Sequence, residues 1–553
     1  MFLTLAARVR DHEERGWWRG ESVDALLQRA VAGGGAREAL VDPLNRVALD
    51  GREPERLSWA QVGERTDRLA SALLNRGLRK DDVVVAQLPN TADAVLLFLA
   101  CARIGLILSP VAMPYRAHEL GYILEQTEPK AIVTLSRFGG YDHVGLARVL
   151  ADERGIAVLV LGDGSDDLRA DAVAADPQTA ADYAAAHPSA GGEVLTICWT
   201  SGTEARPKGV PRDHNHWVLN AEIVAEGTDM VPGDTLLNPF PLVNIGSIGG
   251  LVLPWLQLGA KLVLHHPFDL GIFLQQIAAE RVTYTIAPPA VLTALLKQPA
   301  ILADVDIASL RAVGSGSAPL SPWLIEGWAE RGIAVTNIFG SNEGCGLISS
   351  AAAVPDYADR ARYFPRTGRS RGHEVVATRL VDPDTGVEIA EPGRPGELRL
   401  KGASIFSEYW RAPDVTAAAF DADGWFRTGD LFELAGDAGQ FYRFVGRSKE
   451  IIVRGGINVS PAELDDLLAG LPQVAEAATV GIPDDVLGER IAVAVVPAAG
   501  AEPQLADVTA WLAAHDVAIF KRPERLVSVD RLPRNPMNKV MRTALRVMVL
   551  ERL

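Results

Sequence analysis

Cysteine is scarce in this sequence, basic charge is outweighed, and long uncharged apolar runs are missing. The 553 residues hold three cysteines, Cys101, Cys198 and Cys345. They are far apart, odd in number and lack CxxC spacing. That excludes a disulfide framework or zinc site and fits reduced thiols, so a cytoplasmic location is expected. Acidic residues outnumber basic ones, 70 to 54, for a formal charge of −16. A general nucleic-acid binder needs a basic face, so no nucleic-acid partner is expected, although a local positive pocket for phosphates stays compatible with that charge. No run approaches the roughly 18 apolar residues of a membrane span. The longest candidate, Ala94 to Ala102, is ended by Arg103. No signal-peptide pattern is read either, because Met1 to Val9 runs straight into Arg10-Asp11-His12-Glu13-Glu14-Arg15.

What is there reads as a globular protein, 48% apolar and 22% charged, of a length that one core rarely organises. Apolar strands at 82–88, 106–109 and 131–134 alternate with helical segments at 91–104 and 119–126. Ser22 and Ser58 stand where helix N-caps would. The alternation predicts βαβ units and parallel sheets covered on both faces, and it recurs at 261–264, 283–286, 312–315 and 335–339. Residues 161 to 192, rich in Ala, Asp and Gly, read as a weakly ordered connector. From about Glu388 the pattern becomes antiparallel, with strands at 396–402, 425–431 and 440–445. A break follows at Gly446-Arg447-Ser448-Lys449-Glu450. The fold expected is α/β: a large N-terminal domain, 1–445, of parallel α/β sheets plus a small β-barrel-like part, then a small α+β C-terminal domain, 446–553.

The stretch that draws attention is Thr200-Ser201-Gly202-Thr203-Glu204-Ala205-Arg206-Pro207-Lys208-Gly209-Val210, directly after the apolar run 194–199. Its hydroxyl and glycine residues could turn backbone N–H groups toward a polyanion, with Arg206 and Lys208 adding charge. The Walker spacing is absent. Alone, the stretch reads equally as a surface hairpin.

Five further motifs follow in order: Ser315-Gly316-Ser317-Ala318-Pro319-Leu320; Asn337-Ile338-Phe339-Gly340-Ser341-Asn342-Glu343; Gly424-Trp425-Phe426-Arg427-Thr428-Gly429-Asp430; Gly446-Arg447-Ser448-Lys449-Glu450 with Gly455-Gly456; and Pro533-Arg534-Asn535-Pro536-Met537-Asn538-Lys539. Singly, Glu343 reads as a solvated loop acid, Asp430 as a turn residue and Lys539 as one more basic residue of the tail. Together and in this order, the six resemble the motifs of the adenylate-forming superfamily, which includes acyl-CoA synthetases, aryl-acid activating enzymes and peptide-synthetase adenylation domains. The resemblance covers nearly the whole chain.

The resemblance implies an enzyme that joins a carboxylate to ATP, releases pyrophosphate and passes the acyl group to a thiol. It implies that Thr200, Ser201, Gly202, Thr203 and Lys208 hold phosphates and that Glu343 binds Mg²⁺. Gly316, Ser317, Ala318, Asn337, Phe339, Gly340, Ser341 and Asn342 would surround adenine, and Asp430 and Arg447 the ribose. Lys539 would bridge the carboxylate and α-phosphate. Lys449 would be the hinge of a mobile C-terminal domain, and Gly455 and Gly456 would line the thiol entry. The cofactors implied are ATP, Mg²⁺ and CoA, or a phosphopantetheine carrier protein in the alternative reading. A homodimer is compatible with it. Two departures stand out: Glu204-Ala205 where Thr-Gly is commonest, and Asn538 where Gly precedes the lysine. Asn tolerates the left-handed backbone better than most residues.

The acyl pocket is expected at 238–250, with Asn244, Ile245 and Gly246, and with His214 nearby in sequence. Asn244 stands where the family often has His, and Ile245 where a dihydroxybenzoate-activating enzyme has Asn. No acid in this stretch could pair an ammonium, which argues against an amino acid substrate. An apolar alicyclic, simple aryl or medium-chain acid is expected.

Overall fold

The computed structural model describes all residues except 163–166, 201–206, 317–319, 384, 455–456, 485–486, 516 and 536–537. Val83–Ala86, buried on both faces, pairs in parallel with Ile107–Pro110 and Ala131–Thr134. These belong to a six-stranded sheet that ends in the hairpin of Val194–Trp199 and Gly209–Asp213. Helix Ala92–Ile104 joins the first two of these strands. It is apolar on almost every side and accordingly buried along nearly its whole length. An eight-stranded sheet carries Tyr284–Ile286, Ala312–Gly316 and Ala334–Ser341 in parallel, with Gly344–Ser349 antiparallel at its edge. One continuous core, including the stacked pair Trp59 and Trp255, draws residues from both sheets and their helices.

The helix starts follow local chemistry. Ser22 Oγ accepts the Ala25 N–H at 3.2 Å. Ser58 and Gln61 form a reciprocal capping box at the head of Trp59–Asn75. The expectation for 161–192 is overturned. Leu168–Ala174 and Pro177–Ala186 are helices, capped by Asp167 and Asp176 and packed on Trp59–Asn75. Short alanine-rich helices carry little amphipathic signal, and tertiary packing stabilises them instead.

The antiparallel region forms a five-stranded sheet, Tyr363–Pro365, Phe441–Arg447, Phe426–Ala435, Gly396–Gly402 and Val376–Val381 in spatial order. Among the described residues its two edge strands do not pair with each other. The next strands, Ile452–Arg454 and Ile457–Val459, belong to a separate C-terminal sheet with Val474–Asp484, Gly488–Pro497 and Arg525–Ser528. The two units touch where Lys297 Nζ donates to the Val474 carbonyl at 3.1 Å.

The N-terminal arm crosses the larger unit. On helix Ala6–Glu14, Arg8 donates to the carbonyls of Gly402 at 2.9 Å and Ile405 at 2.5 Å. Trp18 Nε1 reaches the Ala403 carbonyl at 3.2 Å, and Thr4 Oγ1 donates to Asp213 at 2.9 Å.

Candidate active site

The predicted residues gather where the parallel strands end at their carboxyl edges, the usual place for ligands in open α/β sheets. Thr200 N donates to the Lys208 carbonyl at 2.9 Å, and Lys208 N to Thr200 Oγ1 at 3.3 Å. These bonds close the base of the hairpin. Ser201, Gly202, Thr203 and the Glu204-Ala205 departure lie outside the described residues.

Gly316 ends the strand Ala312–Gly316 against its parallel neighbour. A Cβ there would sit 2.2 Å from the Ile338 carbonyl oxygen, so only glycine allows the two backbones this approach. Ser317 and Ala318 lie outside the described residues. On the neighbouring strand, Asn337 donates its amide to the Ala361 carbonyl at 3.0 Å. Half-buried Phe339 meets Phe432 edge-on at 5.0 Å. Gly340 and Ser341 end the strand, paired with Gly344–Ser349, and Asn342-Glu343 make the turn between the two.

Asn342 ties three elements together. Its amide donates to the Trp199 carbonyl at 3.3 Å, its Oδ1 accepts the Ile245 N–H at 2.9 Å, and its carbonyl accepts from Arg212 at 2.8 Å. The 200–208 hairpin and the expected acyl segment therefore meet at this turn. Within that segment Asn244 Oδ1 accepts the Ser247 N–H at 3.1 Å, and Gly246 precedes a π-helical turn, Ile248–Val252. Such turns recur at functional sites.

His214 is not with them. It starts the helix His214–Gly227, is buried, and accepts the Val23 N–H at its Nδ1 at 3.0 Å. Burial pushes its pKa down to about 4. Sequence proximity misleads because the ring bonds instead to Val23, 191 positions earlier. His216 is likewise structural, its ring 2.7 Å from Asp213.

Glu343 is buried, and its Oε1 accepts the Tyr409 hydroxyl proton at 2.8 Å. Asp430 lies opposite Arg447 on the paired strands, with Nε 3.1 Å from its Oδ1. Burial pushes the Asp430 carboxyl up to about 6, against the pull of Arg447 and Lys539. Lys539 is held below the usual lysine range by burial and by Arg447, while Asp430, Glu343 and Glu450 oppose the shift. Its side chain is nonetheless exposed to solvent. One electrostatic neighbourhood thus joins Glu343, Asp430 and Lys539, which are separated by up to 196 positions in the chain.

A tight loop presents the lysine. Asn535 N donates to the Lys539 carbonyl at 2.9 Å, and Arg534 to the Asn538 carbonyl at 2.7 Å. Asn538 adopts the left-handed backbone, φ 62°, as its position before the lysine predicts. Exposed Lys449 follows a turn in which Ser448 N donates to the Gly429 carbonyl at 3.0 Å. Gly455 and Gly456 lie outside the described residues, and the strands flanking them pair antiparallel.

Residues 27–410 match the family described as "AMP-binding enzyme", and 463–539 match "AMP-binding enzyme C-terminal domain". The chain belongs to the AMP-binding enzyme family. Its relatives include the indoleacetate–CoA ligase of Aromatoleum aromaticum, 32% identical over 90% of this chain and 94% of that one. A salicylyl-CoA synthase / salicylate adenylyltransferase of Streptomyces sp is 32% identical over 97% and 95%. Among solved structures, ATP-bound MatB from Rhodopseudomonas palustris is similar at TM-score 0.81 and 28% identity, covering 95% of this chain and 98% of that one. In this AMP-binding enzyme Tyr409 also lies against the candidate site, bonded to Glu343. No motif marks it, and its place follows from a tertiary bond to Glu343.

Proposed function

We propose that the protein converts a carboxylic acid and ATP to an acyl-adenylate and pyrophosphate, then transfers the acyl group to the thiol of CoA. The observation that carries this reading is the convergence of Lys539, from the C-terminal unit, with Asp430 and Glu343. In the first step a carboxylate oxygen bonds to the α-phosphorus as the bond to pyrophosphate breaks. Two anions must meet, so the Lys539 ammonium would lie between them as a point charge in a cleft that limits water. Lys208 and the hairpin's N–H groups would hold the departing phosphates. Asp430, ionised, would accept hydrogen bonds from the ribose hydroxyls. In the second step the thiolate attacks the acyl carbon and AMP leaves.

Mg²⁺ fits the donor set. It takes oxygen ligands and shares substrate phosphates with one or two carboxylates, and Glu343 offers Oε2, which has no hydrogen-bond partner among the described residues. Bound there, the ion would neutralise charge on the phosphates.

For the acid we propose an apolar alicyclic, simple aryl or medium-chain carboxylate. The 238–250 segment has no carboxylate to pair an ammonium, and Ile245 offers only hydrocarbon. Relatives named for indoleacetate and salicylate support an aryl acid. Measuring pyrophosphate release over alicyclic, aryl and linear acids, with and without CoA, tests the reading. Acid-dependent release and an acyl-CoA product are expected. No release with any acid would refute adenylation. Release without thioester until a carrier protein is supplied would refute CoA as the acceptor.

A further inference from the structure

Tyr409 stands between the two phosphate-side elements of the site and touches both. Its hydroxyl donates to Glu343 Oε1 at 2.8 Å. The face of its ring carries the Lys208 ammonium, with Nζ 4.9 Å from the centroid. The backbone on either side is bonded to the same two motifs. Phe406 N donates to the Glu343 carbonyl at 2.8 Å, and Trp410 N donates to the Gly209 carbonyl at 2.9 Å. The approach at Gly209 is close enough that a Cβ there would meet Trp410 Cβ at 3.1 Å. Packing against Phe406, ring centroids 4.7 Å apart, and the bond from Tyr409 N to Thr416 Oγ1 at 2.9 Å fix the tyrosine itself.

We infer that Tyr409 is a positioning residue that sets the Glu343 carboxylate for the metal ion and the Lys208 ammonium for the phosphates, so that both are in place before ATP arrives. This rests on the proposed roles of Glu343 and Lys208. A carboxylate with one oxygen held by a fixed donor presents the other in a defined direction, and such outer-shell partners tune metal affinity. An ammonium over an aromatic face loses freedom without losing its charge.

The two contacts can be separated by substitution. Tyr409→Phe keeps the ring, its packing on Phe406 and the seat for Lys208, and removes the donor. Tyr409→Leu removes both. ATP binding is measured calorimetrically in the absence of acid, first without divalent cation and then across a Mg²⁺ titration, with thermal melting to confirm that each variant is folded. For Tyr409→Phe, metal-free ATP binding stays within about twofold of the parent, while the Mg²⁺ midpoint rises about 10-fold, the low end of the usual effect of losing an outer-shell partner. For Tyr409→Leu, metal-free ATP binding weakens as well. Glu343→Gln is run alongside. If it shifts the Mg²⁺ midpoint and Tyr409→Phe does not, the inference is overturned while the metal role of Glu343 stands. If neither shifts it, that role falls and takes the inference with it.

Discussion

Replacing Asp430 with Asn should make the unliganded protein more stable and a poorer nucleotide binder, and only above a certain pH. Asp430 is 6% exposed, and its carboxyl is pushed from an ordinary 3.8 to about 6, chiefly by burial. Because the native value lies above the unfolded one, the stability linked to this group is fully present below about pH 4. It is lost as pH rises through about 6. A shift of roughly two units corresponds to about 3 kcal/mol carried against folding at pH 8, when the carboxylate is ionised in both states. Asn cannot ionise and escapes that penalty. Losing the pair with Arg447 offsets little, since its side chain is 52% exposed and such pairs contribute about 0–1 kcal/mol. The expected outcome at pH 8 is a melting temperature about 3 °C above the parent's, since in a unit of this size 1 kcal/mol corresponds to about 1 °C. The gain should shrink steadily below pH 6 and vanish near pH 4. AMP affinity measured at pH 8 should fall about 100-fold if two hydrogen bonds to a charged acceptor are lost. In the parent, AMP affinity should itself decline as pH drops below about 6, because protonation removes the acceptor. A variant no more stable than the parent at pH 8, or one whose gain persists undiminished at pH 4.5, would refute this account of a carboxylate held ionised at the expense of the fold.

Three other outcomes follow from the geometry. Lys539→Ala should slow acid-dependent pyrophosphate exchange about 100-fold or more while leaving the melting temperature unchanged, since the side chain is exposed; unimpaired exchange would remove the lysine from the mechanism. Gly316→Ala drives a methyl to 2.2 Å from the Ile338 carbonyl and should destabilise by about 1–3 kcal/mol, read as a drop in melting temperature together with weakened ATP binding. Ser58→Ala removes one half of a capping box far from the cleft; denaturation should show a loss of about 1 kcal/mol, with adenylation kinetics at saturating substrates unaltered.

Much of the site is legible in the sequence because its pieces are local. Gly316, Phe339, Glu343 and Asp430 each lie in a short contiguous run whose residue types and order are readable without the fold, even though distant partners such as Phe432 and Arg447 hold the side chains. The caps at Ser22 and Ser58 and the left-handed Asn538 are local for the same reason. What escaped depends on contacts distant in sequence. Tyr409 has meaning only once the chain has folded it onto Glu343, 66 positions earlier. His214 lies 30 positions before Asn244, and nothing local reveals that its ring turns instead to Val23. Helices Leu168–Ala174 and Pro177–Ala186 owe their stability to the flank of another helix, so their own composition reads as a linker.

The N-terminal arm sets an order of events during synthesis. Arg8 and Trp18 are bonded to carbonyls 394 and 385 positions later in the chain. A ribosome has made nearly three quarters of the protein before those acceptors exist, and the arm must wait with Trp18 and its apolar neighbours uncovered. The segment it finally grips, 402–407, is the one that leads into Tyr409. The arm therefore holds, from the far end of the chain, the segment that brings Tyr409 to Glu343 and Lys208. A nascent chain stalled before that segment would already contain the strands of the six-stranded and eight-stranded sheets but would lack the arm's acceptors and Tyr409.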